Sequence, residues 1–388
     1  MKSIFSLLLI FIMAISNFFG MFAAVPADLA VAEDAYEKTE LTSAEKALLT
    51  TVFETETAWI ASLQLENGAI PMTKNPNGTV TMNPYFADIA ALALLDNADK
   101  YAENVKKYMD WHFAHLNTNA TDYNRMDATI YDYNITLENG KIVKEESKGS
   151  YDSTDSYAAT FLTVVNKYYE KTGDKEYVIA NAKDIVRVAE AMLYTLQMGL
   201  TYAKPDYKVM YLMDNCEVYE GCVSAANLLK VIASESSDYD ITKTKTAYAA
   251  QWIKDTVESK MWNAQGKYYE PGLFTDGKAA FEFKWDEFYP CATAQLFPIV
   301  HGLIGADTIR AKELYDTFSA NFDWAGHKIP SEFCWGSNVY AAALVGDVDS
   351  VIEYMTNYAP GMLLHSYPLY NADIARVAMA AYTVLNAE

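Results

Sequence analysis

The chain has 388 residues and a formal net charge of −21. That acidic balance repels nucleic acids and anionic membrane surfaces, so neither is expected as a partner, whereas neutral ligands are compatible with it. The length exceeds that of one simple domain, yet no stretch rich in Pro, Ser and Gly marks a boundary between domains.

Residues 1–27 are predicted to be a secretory signal peptide. Lys2 supplies a positive charge, an apolar stretch follows it, and small residues end the segment at Ala27. A retained N-terminal anchor is the alternative, because the apolar stretch to Ala24 could just span a bilayer. No later stretch is long and apolar enough to do so. The sequence therefore predicts a secreted protein with no stable membrane span after processing.

After a leader at 28–42, the chain is predicted to form six pairs of helices. The first helix of each pair carries exposed Lys and Glu, whereas the second is rich in Ala, Val and Leu on all sides. In chain order the predicted pairs are 43–65 with the helix that bears Asp88, 99–116 with 152–171, 175–198 with 214–234, 242–261 with 286–303, 306–322 with 336–346, and 347–358 with 371–386.

A short pattern recurs where each second helix would begin. In every copy an acidic or amide residue stands two positions before a Tyr or an Ala. Six copies, one for each helix pair, are typical of a closed ring of repeats. The copies begin at Asp88, Asp155, Glu217, Glu287, Asn338 and Asp373.

The recurrence predicts an all-α fold, an (α/α)6 toroid of six helical hairpins that occupies residues 43–388 as a single domain. We expect twelve principal helices in two concentric rings. Short β-hairpins are predicted in the loops. One lies near residues 129–143 with a tight turn at Asn139-Gly140, and another strand pair lies near Ala279–Phe283.

Four cysteines, Cys216, Cys222, Cys291 and Cys334, could form up to two disulfides in an exported protein, and the sequence leaves their pairing open. The spacing of Cys216 and Cys222 has no second pair at a metal-site spacing. Neither a metal nor another cofactor is therefore predicted.

The arrangement resembles the six-hairpin glycosidase superfamily. The resemblance rests on the two rings, on Gln64 and Gly68 followed by Ile70-Pro71 after the first helix, and on the run from Met261 to Tyr269 after the seventh. It covers the mature chain at the level of topology and selects no single family. It implies a sugar cleft at the end of the barrel where the inner helices begin.

Hydrolysis of a glycosidic bond generally needs one carboxylic acid and one carboxylate. Asp155 is predicted to be the ionised base, because it has hydroxyl-bearing neighbours. Either Glu217 or Glu287 is predicted to be the acid across the ring, and aromatic neighbours would raise the pKa of Glu287. Helix capping is the alternative for each of these residues, since their spacings are also typical of helix starts.

Further residues at the helix starts are predicted to bind the sugar, because aromatic rings stack on sugar faces and carboxylates or amides bind sugar hydroxyls. Filling of the core is the alternative. These residues are Asp88, Asp152, Tyr157, Tyr219, Trp285, Tyr289, Trp335, Asn338, Tyr340 and Asp373.

The sequence as a whole predicts a secreted glycoside hydrolase that cleaves a neutral glycan or oligosaccharide. A polysaccharide lyase acting on uronate-containing glycans is one alternative, although basic residues are sparse. A toroid that binds glycans without catalysis is another. His301 is predicted to be structural, whereas His327 and His365 lie in loops that are expected to face the cleft.

Overall fold

The structure is a computed structural model that describes residues 26–33, 36, 40–236, 240–365 and 369–387. Nearly all of the predicted signal peptide lies outside these residues. Among the described helices, none is both long and apolar enough to cross a membrane.

Part of the predicted leader packs on the helical domain. A short 3-10 turn at Ala27–Leu29 places Asp28 against Arg310, whose guanidinium donates from Nε to Oδ2 at 2.8 Å and from Nη2 to Oδ1 at 2.9 Å. Arg310 is buried, and a buried guanidinium needs such partners to offset its loss of water. A bidentate ion pair between Asp28 and Arg310 therefore joins the leader to the domain.

Thirteen helices account for most of the part of the chain that the structure describes. In chain order they are α1 (Ser43–Leu63), α2 (Pro84–Asp96), α3 (Ala98–Ala114), α4 (Asp155–Thr172), α5 (Lys175–Ala180), α6 (Ala182–Met192), α7 (Leu212–Ala233), α8 (Asp240–Thr256), α9 (Phe297–Val300), α10 (Ile309–Asn321), α11 (Ser337–Val345), α12 (Val348–Tyr358) and α13 (Asn371–Leu385).

Six of these helices form a closed inner ring. The order is α2, α4, α7, α9, α11 and α13, and each helix packs against the next until α13 returns to α2. The other helices pack outside them, with the outer helix of the third pair divided into α5 and α6. The predicted (α/α)6 toroid is confirmed.

Five of the six inner helices begin near a predicted start, two of them earlier than expected, whereas α9 does not. Asp155 is the first residue of α4, and Asp373 lies in the first turn of α13. Asp88 lies one turn inside α2, because the side chain of Asn83 accepts a hydrogen bond from Phe86 N at 2.9 Å and so caps the helix earlier. Glu217 likewise lies more than one turn inside α7.

The predicted fourth inner helix at 286–303 is wrong in its length. A single π-type turn covers Phe288–Ala292, two helical residues follow at 293–294, and α9 adds four more after a turn. Pro290 and Pro298 lack the N–H groups that a continuous helix would use, and Tyr289 is extended with φ −127° and ψ 133°. Glu287 therefore lies in an exposed loop before this turn instead of at a helix start.

Within the described ranges, the loops contain seven short strands: β1 (Gly78–Met82), β2 (Tyr133–Glu138), β3 (Lys141–Ser147), β4 (Val209–Tyr211), β5 (Trp262–Asn263), β6 (Tyr268–Tyr269) and β7 (Gly272–Phe274). β2 and β3 form the predicted hairpin, and β1 extends it to three antiparallel strands. Asn139 and Gly140 both have positive φ, as a tight hairpin turn requires. The strand pair expected near Ala279–Phe283 is reduced to a single bridge between Leu273 and Ala279.

The four cysteines are free thiols, so the disulfides that the sequence allowed are not formed. Cys216, Cys222 and Cys291 are buried. The Cys334 Sγ lies 3.1 Å from the Tyr354 hydroxyl. The Cys291 Sγ lies 3.7 Å from the backbone oxygen of Glu282.

Two helices of the inner ring, α4 and α7, approach each other closely at Gly221. A Cβ atom at this position would lie 2.6 Å from the Cα of Ala159 and 2.9 Å from the Sδ of Met192. Backbone atoms cannot yield to such an approach as a flexible side chain can, so the contact depends on the absence of a side chain.

We predict that Gly221→Ala lowers the free energy of unfolding by ~1–3 kcal/mol, because the added methyl group overpacks this contact. Chemical denaturation measures the difference. Gly361→Ala is the matched control, since a Cβ there would meet nothing within 4 Å. Equal stability of the two variants would contradict the close approach of α4 and α7.

Candidate active site

A cavity of about 700 Å³ opens where the inner helices begin, as the sequence predicted for the cleft. Carboxyl groups and aromatic rings share its wall. The carboxyl groups belong to Asp132, Asp152, Asp214, Glu217, Glu332 and Asp373. The aromatic residues are Tyr85, Phe86, Tyr157, Phe288, Tyr289, Phe297, Phe333 and Trp335.

The cavity brings together about half of the residues that the sequence predicted for the site. Those that line it are Asp152, Tyr157, Glu217, Tyr289, Trp335 and Asp373. The predicted residues outside the lining are Asp88, Asp155, Tyr219, Trp285, Glu287, Asn338 and Tyr340.

Glu217 projects from α7 into the wall of the cavity and is buried. The hydroxyl of Tyr85 donates a hydrogen bond to its Oε1 at 2.5 Å. Burial raises the pKa of the Glu217 carboxyl to about 8, while the hydrogen bond from Tyr85 and the charge of Arg376 act in the opposite direction. Glu217 is therefore largely protonated at neutral pH and is able to donate a proton.

Asp155 does not have the hydrated environment that its neighbours suggested. Ser153, Thr154 and Ser156 are all buried, and Asp155 is completely inaccessible to solvent. Its Oδ1 accepts a hydrogen bond from the backbone N–H of Ser156 at 2.9 Å. Burial raises the pKa of Asp155 to about 7, so the expectation of a solvated carboxylate is wrong for this residue.

Asp155 belongs to a group of carboxyls that influence one another. The pKa of Asp214 lies well above its ordinary value because of burial and the charges of Asp155 and Glu217. Charge on Asp155 also raises the pKa of Glu217. Because several ionised carboxylates would repel each other at this side of the cavity, the group retains protons at neutral pH.

Asp373 lies in the first turn of α13 and lines the cavity. Its Oδ1 accepts a hydrogen bond from the backbone N–H of Gly336 at 3.2 Å. Burial raises the pKa of Asp373 to about 6, against the effect of backbone hydrogen bonds from Gly336 and Trp335. Its carboxyl is therefore largely ionised at neutral pH, in contrast to that of Glu217.

Gly336 permits this arrangement because it lies directly against α13. A Cβ at Gly336 would stand 2.2 Å from the backbone oxygen of Asp373 and 3.0 Å from the Cβ of Arg376. The loop that carries Trp335 and the helix that carries Asp373 thus meet without an intervening side chain.

Asp132 lines the cavity and was missed by sequence reasoning. Its Oδ1 accepts hydrogen bonds from Asn83 Nδ2 and from the Tyr157 hydroxyl, each at 3.1 Å. Burial raises its pKa. Asp132 lies in a loop immediately before β2, so no helix start marked it, and only its place beside a predicted hairpin could have drawn attention to it.

Three of the predicted residues lie in the core around the cavity. Asp88 is completely buried and accepts hydrogen bonds from the hydroxyls of Tyr108 at 2.7 Å and Thr160 at 2.9 Å. Asn338 is buried in the first turn of α11. The ring of Tyr340 lies under the guanidinium of Arg376 at 5.2 Å. These positions favour the packing alternative.

The remaining three predicted residues are half-buried or exposed. Tyr219 is half-buried, with the Lys254 ammonium 5.6 Å from its ring. Trp285 packs edge-on against Phe283 at 5.2 Å. Glu287 is exposed, so the aromatic neighbours that were expected to desolvate its carboxyl do not cover it.

The two loop histidines that were expected to face the cleft are absent from its lining. His327 stacks on Tyr354 at 4.1 Å. His365 lies 2.6 Å from the buried carboxyl of Glu56 and stacks on Trp59. His327 therefore joins its loop to α12, and His365 joins its loop to α1.

Several similar solved structures are glycosidases. A glycosidase variant in complex with glucose matches at 12% identity over 89% of this chain and 98% of that chain, with a TM-score of 0.59. A rhamnosidase from Klebsiella oxytoca with rhamnose bound matches at 11% identity over 92% of this chain and 65% of that chain, with a TM-score of 0.54. This chain has the fold of these glycosidases. No protein-family model and no curated protein matches the sequence.

A further structural match is the rhamnosidase of Bacillus sp. GL1, at 12% identity over 92% of this chain and 36% of that chain, with a TM-score of 0.54. At such identities the likeness concerns the fold. The resemblance to the six-hairpin glycosidases is thus confirmed at the level of the toroid, and no individual family is selected.

We predict that Tyr85→Phe raises the pKa of Glu217 by about one unit, since the variant loses a hydrogen bond that favours the ionised carboxylate. Infrared titration of the protonated carboxyl band measures the pKa, and Glu217→Gln assigns the band. Tyr194→Phe is the control, because Tyr194 is exposed. A pKa that stays constant or falls would contradict the role given to the Tyr85 hydroxyl.

Proposed function

We propose that the chain is a glycoside hydrolase in which Glu217 is the general acid and Asp373 is the partner carboxylate. The observation that carries the proposal is one cavity containing two carboxyls with opposite protonation at neutral pH. Burial raises the pKa of Glu217 to about 8 and that of Asp373 to about 6. Glycosidic hydrolysis needs such a pair, one proton donor and one ionised carboxylate.

The position of the two residues in the ring supports this assignment. Glu217 lies on α7 and Asp373 on α13, the third and sixth helices of the closed inner ring, so the two helices stand on opposite sides. A sugar bound between them would present its glycosidic oxygen to Glu217. Asp373 would then act from the other side, either on a water molecule or directly on the sugar carbon.

The composition of the wall supports a neutral sugar. Tyr289 and Trp335 lie together at the cavity, with ring centroids 5.4 Å apart, and Tyr85 and Tyr157 stack at 6.0 Å. Aromatic faces of this kind are suited to the C–H faces of sugars, and the surrounding carboxyls to sugar hydroxyls. The neighbours with glucose or rhamnose bound are consistent with this substrate class.

The alternative of a polysaccharide lyase receives less support. A lyase must neutralise a uronate carboxylate, whereas Arg376 is the single cationic side chain among the described residues that line the cavity. The alternative of a toroid that only binds glycans predicts no turnover. We also propose that the protein is exported, because its N-terminal sequence has the features of a signal peptide.

We expect Glu217→Gln and Asp373→Asn each to lower kcat by at least ~10²-fold, because each variant removes one half of the acid–base pair. The assay is release of sugar from a panel of neutral oligosaccharides, including glucosides and rhamnosides, followed by NMR. NMR of the first product anomer also tells whether Asp373 activates water, which inverts the configuration, or attacks the sugar, which retains it.

Glu287→Gln is the matched control, since it removes an exposed carboxyl outside the cavity. It should keep wild-type turnover. Near-wild-type activity in both cavity variants would refute the acid–base assignment, and unsaturated products would indicate the lyase instead.

The pKa values also predict a bell-shaped pH profile for kcat/KM. Asp373 must be ionised, so activity should rise as the pH passes about 6. Glu217 must be protonated, so activity should fall as the pH passes about 8. Steady-state rates from pH 4 to pH 10 test both limbs, and a profile without a basic limb near pH 8 would argue against Glu217 as the acid.

A further inference from the structure

His301 lies immediately beyond the last residue of α9 and is buried behind the carboxyl of Glu217. Its Nε2 is 4.0 Å from Glu217 Oε1, and its Nδ1 is 2.6 Å from Glu220 Oε2. No hydrogen-bond partner for Nε2 occurs among the residues that the structure describes. An unpartnered buried nitrogen that faces a catalytic carboxyl requires an explanation, because such atoms are costly.

Glu220 determines which nitrogen of His301 carries the hydrogen. Burial acts to raise the pKa of Glu220, but the hydrogen bond to His301 and the charges of His301, Arg376 and Lys167 hold it below its ordinary value. Burial also lowers the pKa of His301. At neutral pH an ionised Glu220 therefore faces a neutral imidazole, so the hydrogen resides on Nδ1 and Nε2 is an acceptor.

The acceptor at Nε2 faces a carboxyl that is protonated under the same conditions. The 4.0 Å separation is longer than a hydrogen bond. Catalytic hydrogen bonds are commonly shortest in the complex with substrate, so we expect this contact to shorten there. Phe297 packs against the imidazole with ring centroids 5.4 Å apart and also lines the cavity. A ligand that presses on this wall would therefore reach His301 through Phe297.

We propose that His301 is a positioning residue for Glu217. Its Nε2, which Glu220 keeps as an acceptor, orients the Glu217 carboxyl and helps it to retain its proton until the glycosidic oxygen takes that proton. The inference rests on the proposed function, in that it assigns Glu217 as the acid. It adds His301, behind the cavity wall, to the two carboxyl residues Glu217 and Asp373.

Other charged or titratable groups also act on Glu217, and the role of His301 is distinct from theirs. Burial has the largest effect and raises its pKa. Tyr85 on α2 and Arg376 on α13 lower the pKa, whereas Asp155 on α4 and Glu220 on α7 raise it, and Asp214 on α7 is a further charge in the group. His301 is the neighbour that offers an acceptor to the protonated form.

Replacement of His301 separates positioning from packing. His301→Phe removes the acceptor while keeping an aromatic ring, so the pKa of Glu217 should fall by about half a unit to one unit, the effect of one neutral hydrogen bond. The basic limb of kcat/KM should move down with it. His301→Gln should restore most of the wild-type value, because its amide can donate to Glu220 and accept from Glu217.

His112→Phe is the matched control. His112 is also buried, with Nδ1 3.9 Å from the carboxyl of Asp88, but it lies outside the lining of the cavity. This variant should lower stability and leave the pKa of Glu217 unchanged. Equal pKa values for Glu217 in the wild type and in His301→Phe would overturn the proposal.

Two measurements keep the proposal separate from the proposed function and from failures of folding. Infrared titration of Glu217 needs no turnover, so a pKa shift in His301→Phe without any hydrolysis by the wild type would refute the function while supporting the contact between His301 and Glu217. Hydrolysis that depends on Glu217 but not on His301 would support the proposed function and refute the positioning role. Nitrogen-15 NMR of the unaltered protein should find Nε2 of His301 without a hydrogen at neutral pH, and a hydrogen there would overturn the proposal.

Discussion

Burial of carboxyl groups at one end of a closed helical ring is the constraint on which the candidate site depends. Removal of water from Glu217 favours its neutral form, and it does so more strongly than Tyr85 or Arg376 favours the ionised form. Asp373, which receives backbone hydrogen bonds from Gly336 and Trp335, stays closer to an ordinary carboxylate. One cavity therefore contains both an acid and a base because the two environments differ, although the residue types are similar.

The toroid could be predicted from the sequence because its evidence is repeated six times. Any one helix start is a weak signal, but a series with one start per pair limits the topology strongly. The resemblance to a known superfamily implied a cleft at the end where the inner helices begin, and a cavity lined by Glu217 and Asp373 lies there. The lengths of individual helices were harder to predict. The segment that carries Glu287 was predicted as one helix, but it is interrupted at Pro290 and Pro298.

The chemistry of single side chains was the least predictable part. Asp155 has polar neighbours in sequence, yet Ser153, Thr154 and Ser156 are buried with it, so local polarity did not mean hydration. Asp132 reaches the cavity from a loop that contains no helix start. His301 follows an apolar run and is indeed buried, but its relation to Glu217 depends on how the end of α9 meets α7. Such facts arise from contacts distant in sequence.

The ion pair between Asp28 and Arg310 makes the stability of the helical domain depend on a residue far from Arg310 in sequence. Asp28 directly follows the predicted cleavage position, and it supplies two of the hydrogen bonds of a buried guanidinium that also contacts Glu258 and Tyr269. A peptidase that removed even one residue too many would leave that guanidinium partly unpaired in the domain, at a cost typical of a broken buried charge pair. The domain is therefore expected to be less stable when Asp28 is absent, because the buried guanidinium then loses two of its hydrogen bonds.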